Sequence, residues 1–301
     1  MSAKVSTFPT FSVCICTRNR SEDLRRALLA TQRSTYPIHQ VVVSDDSTDA
    51  VTKEMIALEF PYIVFVEGPR RGLSANRNNI IREATGTHLL FIDDDAVLGE
   101  NFFAIMAFHI QGLKINVDHV IVTGSEMTHG ERVVAHRPTY LGFQAHTYRP
   151  GEKIVSTVIN SAVFPAKLFE KIRFDENLIY GYEELDIAMH AVLQESYRID
   201  WVIEAVNDHF PSQINRDYYV PFLEASRLYV TYKRYRWLEK NKSKANFFLM
   251  IAITQNVFHM LKTKRSFRGC LTATKLGLSY IRNHSAILNA KRTPTMTGIE
   301  S

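Results

Sequence analysis

The sequence predicts an α/β fold in which a mostly parallel central sheet is flanked by helices. Two features of the first hundred residues lead to this prediction. Short apolar runs alternate with segments whose apolar residues recur at helical spacing. The runs are apolar at nearly every position, which is typical of parallel strands covered by helices on both faces. A length of 301 residues with 46% hydrophobic residues allows one large domain or two modest ones.

The elements of this first part form a βαβαβαβ series. The opening run, FSVCICT over residues 11–17, is β-branched and apolar, and the helix predicted over 21–33 begins at the capping residue Ser21. The series continues with a strand over 39–46, a helix over 49–58, a strand over 62–68, a helix over 74–84 and a strand over 88–95.

The pattern becomes less regular beyond the fourth strand. The predicted elements are a helix over 100–112, a strand over 119–124, a strand over 153–165, a helix over 183–195 and a strand over 197–205. Among them, residues 125–151 carry several His, Arg and Tyr residues without clear periodicity. A long irregular connection of this kind predicts a lid or a binding loop.

Polar segments follow three of the predicted strands. They are TRNR at 17–20, SDDSTD at 44–49 and DDD at 93–95. In parallel sheets covered by helices, ligands bind beyond the carboxyl ends of the strands. The sequence therefore predicts one binding site at this edge of the sheet.

The triplet Asp93, Asp94 and Asp95 predicts a bound divalent cation. Neighbouring carboxylates raise one another's pKa and cost free energy unless a positive charge lies among them. The sequence has neither GxGxxG after the first strand nor GxxxxGK[ST], so it predicts neither a dinucleotide enzyme nor a P-loop enzyme. Without a glycine nest for phosphate groups, a metal ion is needed to neutralise their charge.

Six motifs together make the sequence resemble the family 2 glycosyltransferases, inverting enzymes of the nucleotide-diphospho-sugar transferase superfamily with the GT-A fold. The resemblance covers roughly residues 10–210. Its motifs are T-R-N-R, V-V-V-S-D-D-S-T-D, G-L-S-A-N-R-N at 72–78, D-D-D, F-D-E at 174–176 and G-Y-E-E-L-D at 181–186. Their order and spacing make the set specific, whereas a lone D-x-D would not be.

The resemblance implies a nucleoside-diphosphate-sugar donor, UDP or dTDP, and a Mn²⁺ or Mg²⁺ ion. Asp93 would lie near the ribose, Asp95 would bind the ion, and His209 would be a further metal ligand. The other donor-binding residues that it implies are Thr17, Arg18, Asn19, Asp45, Asp46, Gly72, Arg77 and Asp94. The usual D-D-G-S-x-D motif is altered here, so an ungapped alignment gives the base-contacting role to Asp45 and a one-residue deletion gives it to Asp46.

Inverting transfer needs a base that takes the proton of the acceptor hydroxyl. In the family this base is the last acid of a short E-D motif at a helix start, which corresponds to Glu184. On a helix, Glu183 and Asp186 share one face while Glu184 points about 100° away, so the three acids do not share one role. Asp186 is predicted to orient the acceptor or an active-site cation, and Glu183 to be structural. Acids in a first helical turn are also favourable simply through the helix dipole.

The implied function is metal-dependent, inverting transfer of a sugar to a glycan or lipid-linked acceptor, in cell-surface polysaccharide synthesis. Residues 1–210 would form the GT-A domain, with a donor-binding half over 10–100 and an acceptor and base half over 101–210. Residues 211–301 would form a basic helical extension. The alternatives are a sugar nucleotidyltransferase, although its glycine-rich loop is missing, and a non-catalytic nucleotide-sugar-binding protein.

The C-terminal part is strongly basic. Residues 216–292 contain 16 Lys or Arg and three acids, and aromatic residues interleave with the cations. This pattern predicts contact with an anionic membrane surface in preference to a merely solvated basic face, and nucleic acid is the least favoured partner. The apolar stretch 245–261 is shorter than the roughly 20 residues of a membrane-spanning helix and contains polar residues, which favours packing or an interfacial position.

The compartment predicted from the sequence is the cytoplasm, with peripheral attachment to the inner face of the cell membrane. No secretory signal pattern is visible, and three cysteines do not make a disulfide framework. Cys14 and Cys16 share one face of the first strand, and we interpret them as small buried apolar residues rather than as a metal pair.

Overall fold

The computed structural model describes residues 8–211, 216–263 and 267–292. Its strands are β1 Phe11–Thr17, β2 Gln40–Asp45, β3 Val64–Glu67, β4 His88–Asp93, β5 Ala96–Val97, β6 Val120–Thr128, β7 Glu131–Val133, β8 His136–Pro138, β9 Gln144–Thr147, β10 Ala162–Pro165 and β11 Arg198–His209. Its α-helices are α1 Ser21–Thr31, α2 Val51–Glu59, α3 Leu73–Ile81, α4 Phe102–Gly112, α5 Leu168–Lys171, α6 Glu183–Leu193, α7 Arg216–Lys233, α8 Lys242–Thr263 and α9 Phe267–Arg292. The predicted βαβαβαβ series is confirmed.

A mixed central sheet has the strand order β3-β2-β1-β4-β10-β6-β11-β5, with β7 paired to β6. The first four of these strands are parallel, and β10 runs antiparallel to both of its neighbours. The register pairs Thr17 with Asp45 and Cys16 with Asp93. The carboxyl ends of β1, β2 and β4 therefore meet at one edge, as predicted.

Both faces of the sheet are buried under helices. Val13 and Ile15 of β1 pack into a core with helices α1, α2 and α4, while Cys14 and Cys16 face a second core that includes residues of α6. Two-sided burial explains why these strands are apolar at successive positions. The two cysteines are free and buried, which confirms their interpretation as core residues. The side chain of Cys270 lies outside the described residues.

Residues 125–151 contain more regular secondary structure than their sequence predicts. Strand β6 runs on to Thr128, β7 pairs back onto it, and β8 pairs with β9 in a small separate sheet. Prediction failed here because these short strands expose most of their side chains, so no apolar alternation marks them. The strand predicted over 153–165 is likewise shortened, since a 3₁₀ turn at Ile159–Ser161 precedes β10.

The C-terminal helices share a hydrophobic core with the rest of the chain. Ala225, Tyr229 and Tyr280 belong to the same buried cluster as Leu185 and Ala188 of α6. The C-terminal helices thus pack against α6. Within the described residues no helix is long and apolar enough to span a membrane.

Candidate donor and metal site

Two carboxylates and an imidazole converge where β4 ends. Asp93 closes β4, Asp95 lies in the turn that leads into β5, and His209 closes β11. Because β11 pairs with β5, His209 lies opposite Ala96, and the Nε2 atom of His209 is 3.3 Å from Oδ1 of Asp95. One ligand atom from each of Asp93, Asp95 and His209 can be chosen so that all lie within 4.8 Å of one another. Such a donor set can hold a divalent cation.

Glu126 orients the imidazole from the other side. Its Oε1 atom is 3.1 Å from Nδ1 of His209, and its Oε2 atom accepts a hydrogen bond from Asn160. Burial alone would lower the pKa of His209, but the hydrogen bonds to Asp95 and Glu126 outweigh it and raise the pKa to about 10. A carboxylate behind a metal-binding imidazole fixes the ring orientation and the tautomer. Asn160 also accepts a hydrogen bond from the backbone N–H of Asp93 at 2.8 Å.

Arg20 partly neutralises the negative charge of Asp94 and Asp95. Its Nη1 atom donates to Asp94 at 2.7 Å and to Asp95 at 3.0 Å, and Thr17 donates its hydroxyl to Asp94 at 2.8 Å. Burial nevertheless raises the pKa of Asp94 to about 7, since Arg20 and Thr17 offset only part of the desolvation. The cation expected among these carboxylates is therefore supplied in part by the chain itself.

Arg77 connects the triplet to the start of α6. It is 2% exposed, and its guanidinium donates to Asp93 and to Glu183, each at 3.0 Å. Burial would lower the pKa of Arg77, but the two carboxylates raise it, so the side chain stays charged. This network pairs Glu183 with Arg77 and positions Arg77 next to Asp93.

Glu184 has a different environment from its neighbours on α6. It is partly exposed, and its Oε1 atom accepts a hydrogen bond from Gln144 of β9 at 3.2 Å. Burial and then the nearby Glu183 carboxylate raise the pKa of Glu184 to about 7. A carboxylate with a pKa near neutrality is suited to take up a proton during turnover.

The structure does not bring Asp186 into this site. Its carboxylate is 2% exposed and forms an ion pair with Nζ of Lys233 at 2.8 Å, behind the first turn of α6. The position contradicts direct contact with an acceptor or with a cation beside Asp95, because the Asp186 side chain faces the C-terminal helices. Its sequence spacing revealed the face of the helix but not which partner covers that face.

The residues after β1 and β2 contact one another at the same edge of the sheet. The backbone N–H of Ser47 donates to Asp45 at 2.8 Å, and its hydroxyl also donates to Asp45. Asp46 instead accepts the backbone N–H of Arg70 at 2.7 Å. Asn19 accepts the backbone N–H of Thr48 at 3.0 Å. Both aspartates lie at the carboxyl end of β2, and these contacts do not favour one of them over the other for the predicted contact with the base.

Arg18 and Gly72 are two further residues that the sequence predicts to bind the donor. Arg18 is exposed beside Asn19. Gly72 precedes α3 with φ 100° and ψ 171°, a conformation almost restricted to glycine, and a Cβ there would lie 3.0 Å from Cα of Ile179. The glycine allows α3 to begin directly against the segment that leads to α6.

Comparison with known proteins agrees with this architecture. The family described as "Glycosyl transferase family 2" matches residues 12–173. This chain belongs to that family. The matched part of the family 2 chain contains the aspartate triplet but ends before Glu184 and His209.

One curated relative is Glycosyltransferase AglE of Haloferax volcanii, which is 30% identical over 132 residues. The match covers 42% of this chain and 40% of AglE, so the chain spans less than half of that relative. Two solved structures are similar in fold. S. aureus TarS has a TM-score of 0.60 at 16% identity, over 93% of this chain and 50% of TarS. Mannosyltransferase PcManGT from Pyrobaculum calidifontis, in complex with GDP-Man and Mn²⁺, has a TM-score of 0.56 at 15% identity, over 95% of this chain and 89% of PcManGT.

The fold of this family 2 member is thus the GT-A fold, a mixed α/β structure with a curled central sheet. Sequence reasoning missed several residues that build its site: Arg20, Glu126, Gln144 and Asn160. Arg20 could have been predicted, because it belongs to the T-R-N-R motif at residues 17–20. The other three come from segments whose sequence carries no recognisable signal.

Proposed function

We propose that the protein is a metal-dependent, inverting glycosyltransferase of cell-surface polysaccharide synthesis. It would move a sugar from a nucleoside-diphosphate donor to a hydroxyl of a glycan or lipid-linked acceptor. The observation that carries the proposal is the cluster of Asp93, Asp95 and His209 at the carboxyl edge of the sheet, joined through Arg77 to the helix start that bears Glu184. Membership of family 2 supports the reaction class.

The metal ligands in this proposal are Asp93, Asp95 and His209, which fit Mn²⁺ or Mg²⁺. Two carboxylate oxygens and one imidazole nitrogen favour Mn²⁺, because Mg²⁺ prefers oxygen ligands and retains several waters. When bound, the ion would supply positive charge that stabilises the departing diphosphate. The Mn²⁺ complex of PcManGT is consistent with this choice.

The donor would lie across the ends of β1, β2 and β4. We propose a UDP- or dTDP-sugar whose base contacts Thr17, Arg18 and Asn19, with Asp45 or Asp46 as its polar partner. Arg77 would lie near the diphosphate or the ribose, since its guanidinium is held beside Asp93 at 3.0 Å. Gly72 and Asp94 complete the proposed donor-binding set.

Glu184 would act as the base. The acceptor oxygen attacks the anomeric carbon and gives its proton to the Glu184 carboxylate, while the bond from that carbon to the diphosphate oxygen breaks and the nucleoside diphosphate leaves. Attack on the face opposite the leaving group inverts the anomeric configuration. The pKa of about 7 keeps Glu184 basic enough to accept the proton and still ionised near neutral pH.

An aromatic wall beside the site supports a glycan or lipid-linked acceptor. The rings of Tyr180 and Tyr219 lie 4.4 Å apart, and Tyr218 lies 5.1 Å from Tyr219. Burial and then the negative charges of Asp93 and Glu183 raise the pKa of Tyr180. Aromatic side chains with a polar tip suit ligands that have one apolar and one polar face.

A thermal-shift panel of UDP, dTDP and GDP and their sugars, with and without Mn²⁺, tests the proposal. We expect one nucleotide series to raise the melting temperature in a metal-dependent way, because specific ligands stabilise the folded state by mass action. The Asp95→Asn variant should lose this shift. Asp200→Asn is the matched control, since Asp200 also pairs with a histidine, His109, at 3.0 Å but on a different part of the protein.

Product analysis separates the alternatives. A glycosyltransferase releases nucleoside diphosphate from its donor, slowly to water and faster to the right acceptor. Release of pyrophosphate from a nucleoside triphosphate and a sugar phosphate would instead identify a sugar nucleotidyltransferase. Donor binding without hydrolysis or transfer to any acceptor would leave a non-catalytic nucleotide-sugar-binding protein.

We also propose that the protein binds peripherally to the anionic inner face of the cell membrane. Helix α8 exposes Phe247 (54%) and Met250 (56%), and Tyr140 and Phe143 lie exposed in the segment that packs against the C-terminal helices. This exposed apolar face belongs to the most basic part of the chain, so charge and apolar surface fit the same partner.

Vesicle co-sedimentation tests the membrane contact. We expect binding to phosphatidylglycerol vesicles that salt weakens, with little binding to phosphatidylcholine vesicles. Phe247→Asp should reduce the bound fraction severalfold. Phe108→Asp is the control. Phe108 is 82% exposed on α4, a helix that packs on the other face of the central sheet from α6. Equal loss in both variants would contradict the α8 contact.

A further inference from the structure

A fully buried lysine connects the C-terminal helices to the helix that carries Glu184. Lys233, the last residue of α7, is 4% exposed. Its Nζ atom lies 2.7 Å from Oδ2 of Asp175 and 2.8 Å from Oδ2 of Asp186. Burying an ammonium group is unfavourable unless it is paired, and here one cation pairs with two carboxylates. Lys233 lies outside residues 12–173, the part that the family match covers.

The two carboxylates bound by Lys233 lie at the two ends of one segment. Asp175 belongs to the F-D-E motif, and Asp186 lies in the first turn of α6. Between them, Gly181 has φ 79° and Tyr182 has φ 68°, so the chain passes through two successive left-handed residues before α6 begins. For Tyr182 this conformation is strained and persists only because surrounding contacts hold it.

Asp175 has further polar partners, including the backbone N–H and the side-chain amide of Asn177, whereas the Asp186 carboxylate depends on Lys233. Tyr229 donates its hydroxyl to Asp175, and His284 lies 3.6 Å from the same carboxylate. The second carboxylate oxygen of Asp186 has no hydrogen-bond partner within the described part of the chain. The Lys233 ammonium is therefore the group that ties the side chain of Asp186, and with it the first turn of α6, to the C-terminal helices.

We propose that Lys233 is a positioning residue for the transfer reaction. It holds both ends of the segment 175–186 so that Glu184, two residues before Asp186, is kept at the catalytic edge. This inference rests on the proposed function, because it assigns Lys233 to the reaction in which Glu184 is the base.

The test compares Lys233→Met and Lys233→Arg with the wild type. The assay is Mn²⁺-dependent hydrolysis of the nucleoside-diphosphate sugar that gives the largest shift in the thermal panel. We expect Lys233→Met to lower kcat by roughly 10- to 100-fold with little change in the donor KM, since small misplacement of a catalytic group costs about this much. Lys233→Arg, which keeps the charge, should restore part of kcat.

Two further variants keep the test decisive. Lys233→Met leaves two buried carboxylates without a cation and can prevent folding, so Asp175→Asn offers a milder loss of the same contact. Leu28→Ala is the stability control, because Leu28 is buried on α1 in the core on the other face of the sheet. It should lower the melting temperature without changing kcat.

Hydrogen exchange adds a readout that does not depend on turnover. Amides in the first turn of α6 should exchange faster in Lys233→Met and Asp175→Asn, and should be unaffected in Leu28→Ala. Unchanged exchange there, or a normal kcat beside an inactive Glu184→Gln variant, would overturn the role of Lys233 alone. A wild-type protein that turns over no donor would overturn the proposed function and the role of Lys233 together.

Discussion

Replacing Glu184 by Gln should stabilise the protein while it removes turnover. The carboxyl group has an ordinary pKa of 4.5, and burial together with Glu183 raises it to about 7 in the folded protein. Gln keeps the size of the side chain and an oxygen that can accept the hydrogen bond from Gln144. The variant therefore removes an unfavourable charge and little else.

The sign and size of the effect follow from this shift. Below pH 4.5 Glu184 is protonated in both states and costs nothing. Between pH 4.5 and 7 only the unfolded state releases the proton, so the wild type loses stability as the pH rises. Above pH 7 the cost is complete and amounts to at most about 3.5 kcal/mol.

Urea denaturation of both proteins at pH 4.5 and pH 8 measures this difference. We expect nearly equal free energies of unfolding at pH 4.5 and a more stable Glu184→Gln protein at pH 8, by about 1 to 3 kcal/mol. Glu54→Gln is the control, because Glu54 is exposed on α2, and its effect on the free energy of unfolding should be the same at both pH values. A stability difference that is the same at both pH values would refute the reasoning, and normal turnover by Glu184→Gln would refute its role as base.

Three other changes give independent predictions. Asp95→Asn should lower donor turnover by about 100-fold or more and abolish the Mn²⁺ response, which kinetic titration with Mn²⁺ would measure. Arg20→Met should cost about 1–3 kcal/mol in urea denaturation without metal, because Asp94 loses a charged partner 2.7 Å away. Gly72→Ala should cost about 1–3 kcal/mol more than Gly130→Ala, since φ is positive at both sites but only the Gly72 side would meet nearby backbone.

Each of these has a clear contrary result. An unaltered Mn²⁺ response in Asp95→Asn would remove that residue from the metal site. An Arg20→Met protein as stable as the wild type would show that solvent, rather than Arg20, compensates Asp94. Equal denaturation midpoints for the two alanine variants would show that the segment around Ile179 yields to the added methyl group.

The order of the elements and the position of the site could be predicted because both depend on local patterns. A strand buried on both faces must be apolar along its length, and parallel strands bring their carboxyl ends to one edge. The D-D-D triplet is therefore recognisable from sequence alone. The small strands between Glu131 and Thr147 could not be predicted, because exposed hairpins need no apolar period.

Local sequence patterns did not predict the contacts of Asp186. Its place on the helix followed from spacing, but its role depends on Lys233, 47 residues further along the chain. The same holds for Glu126 and Asn160, which contact the cluster of Asp93, Asp95 and His209 from β6 and from a 3₁₀ turn. A lone charged or amide residue in a sequence gives no indication of which distant group it will meet.

The sequence by itself determined the α/β class, the polar edge of the sheet and the family, since hydrophobic period and motif spacing are properties of neighbouring residues. Tertiary structure alone decided which carboxylates compensate one another and which remain available for chemistry. The reason is physical: the pKa and the function of a buried charge depend on the atoms within a few ångströms of it, and folding brings those atoms from distant parts of the chain.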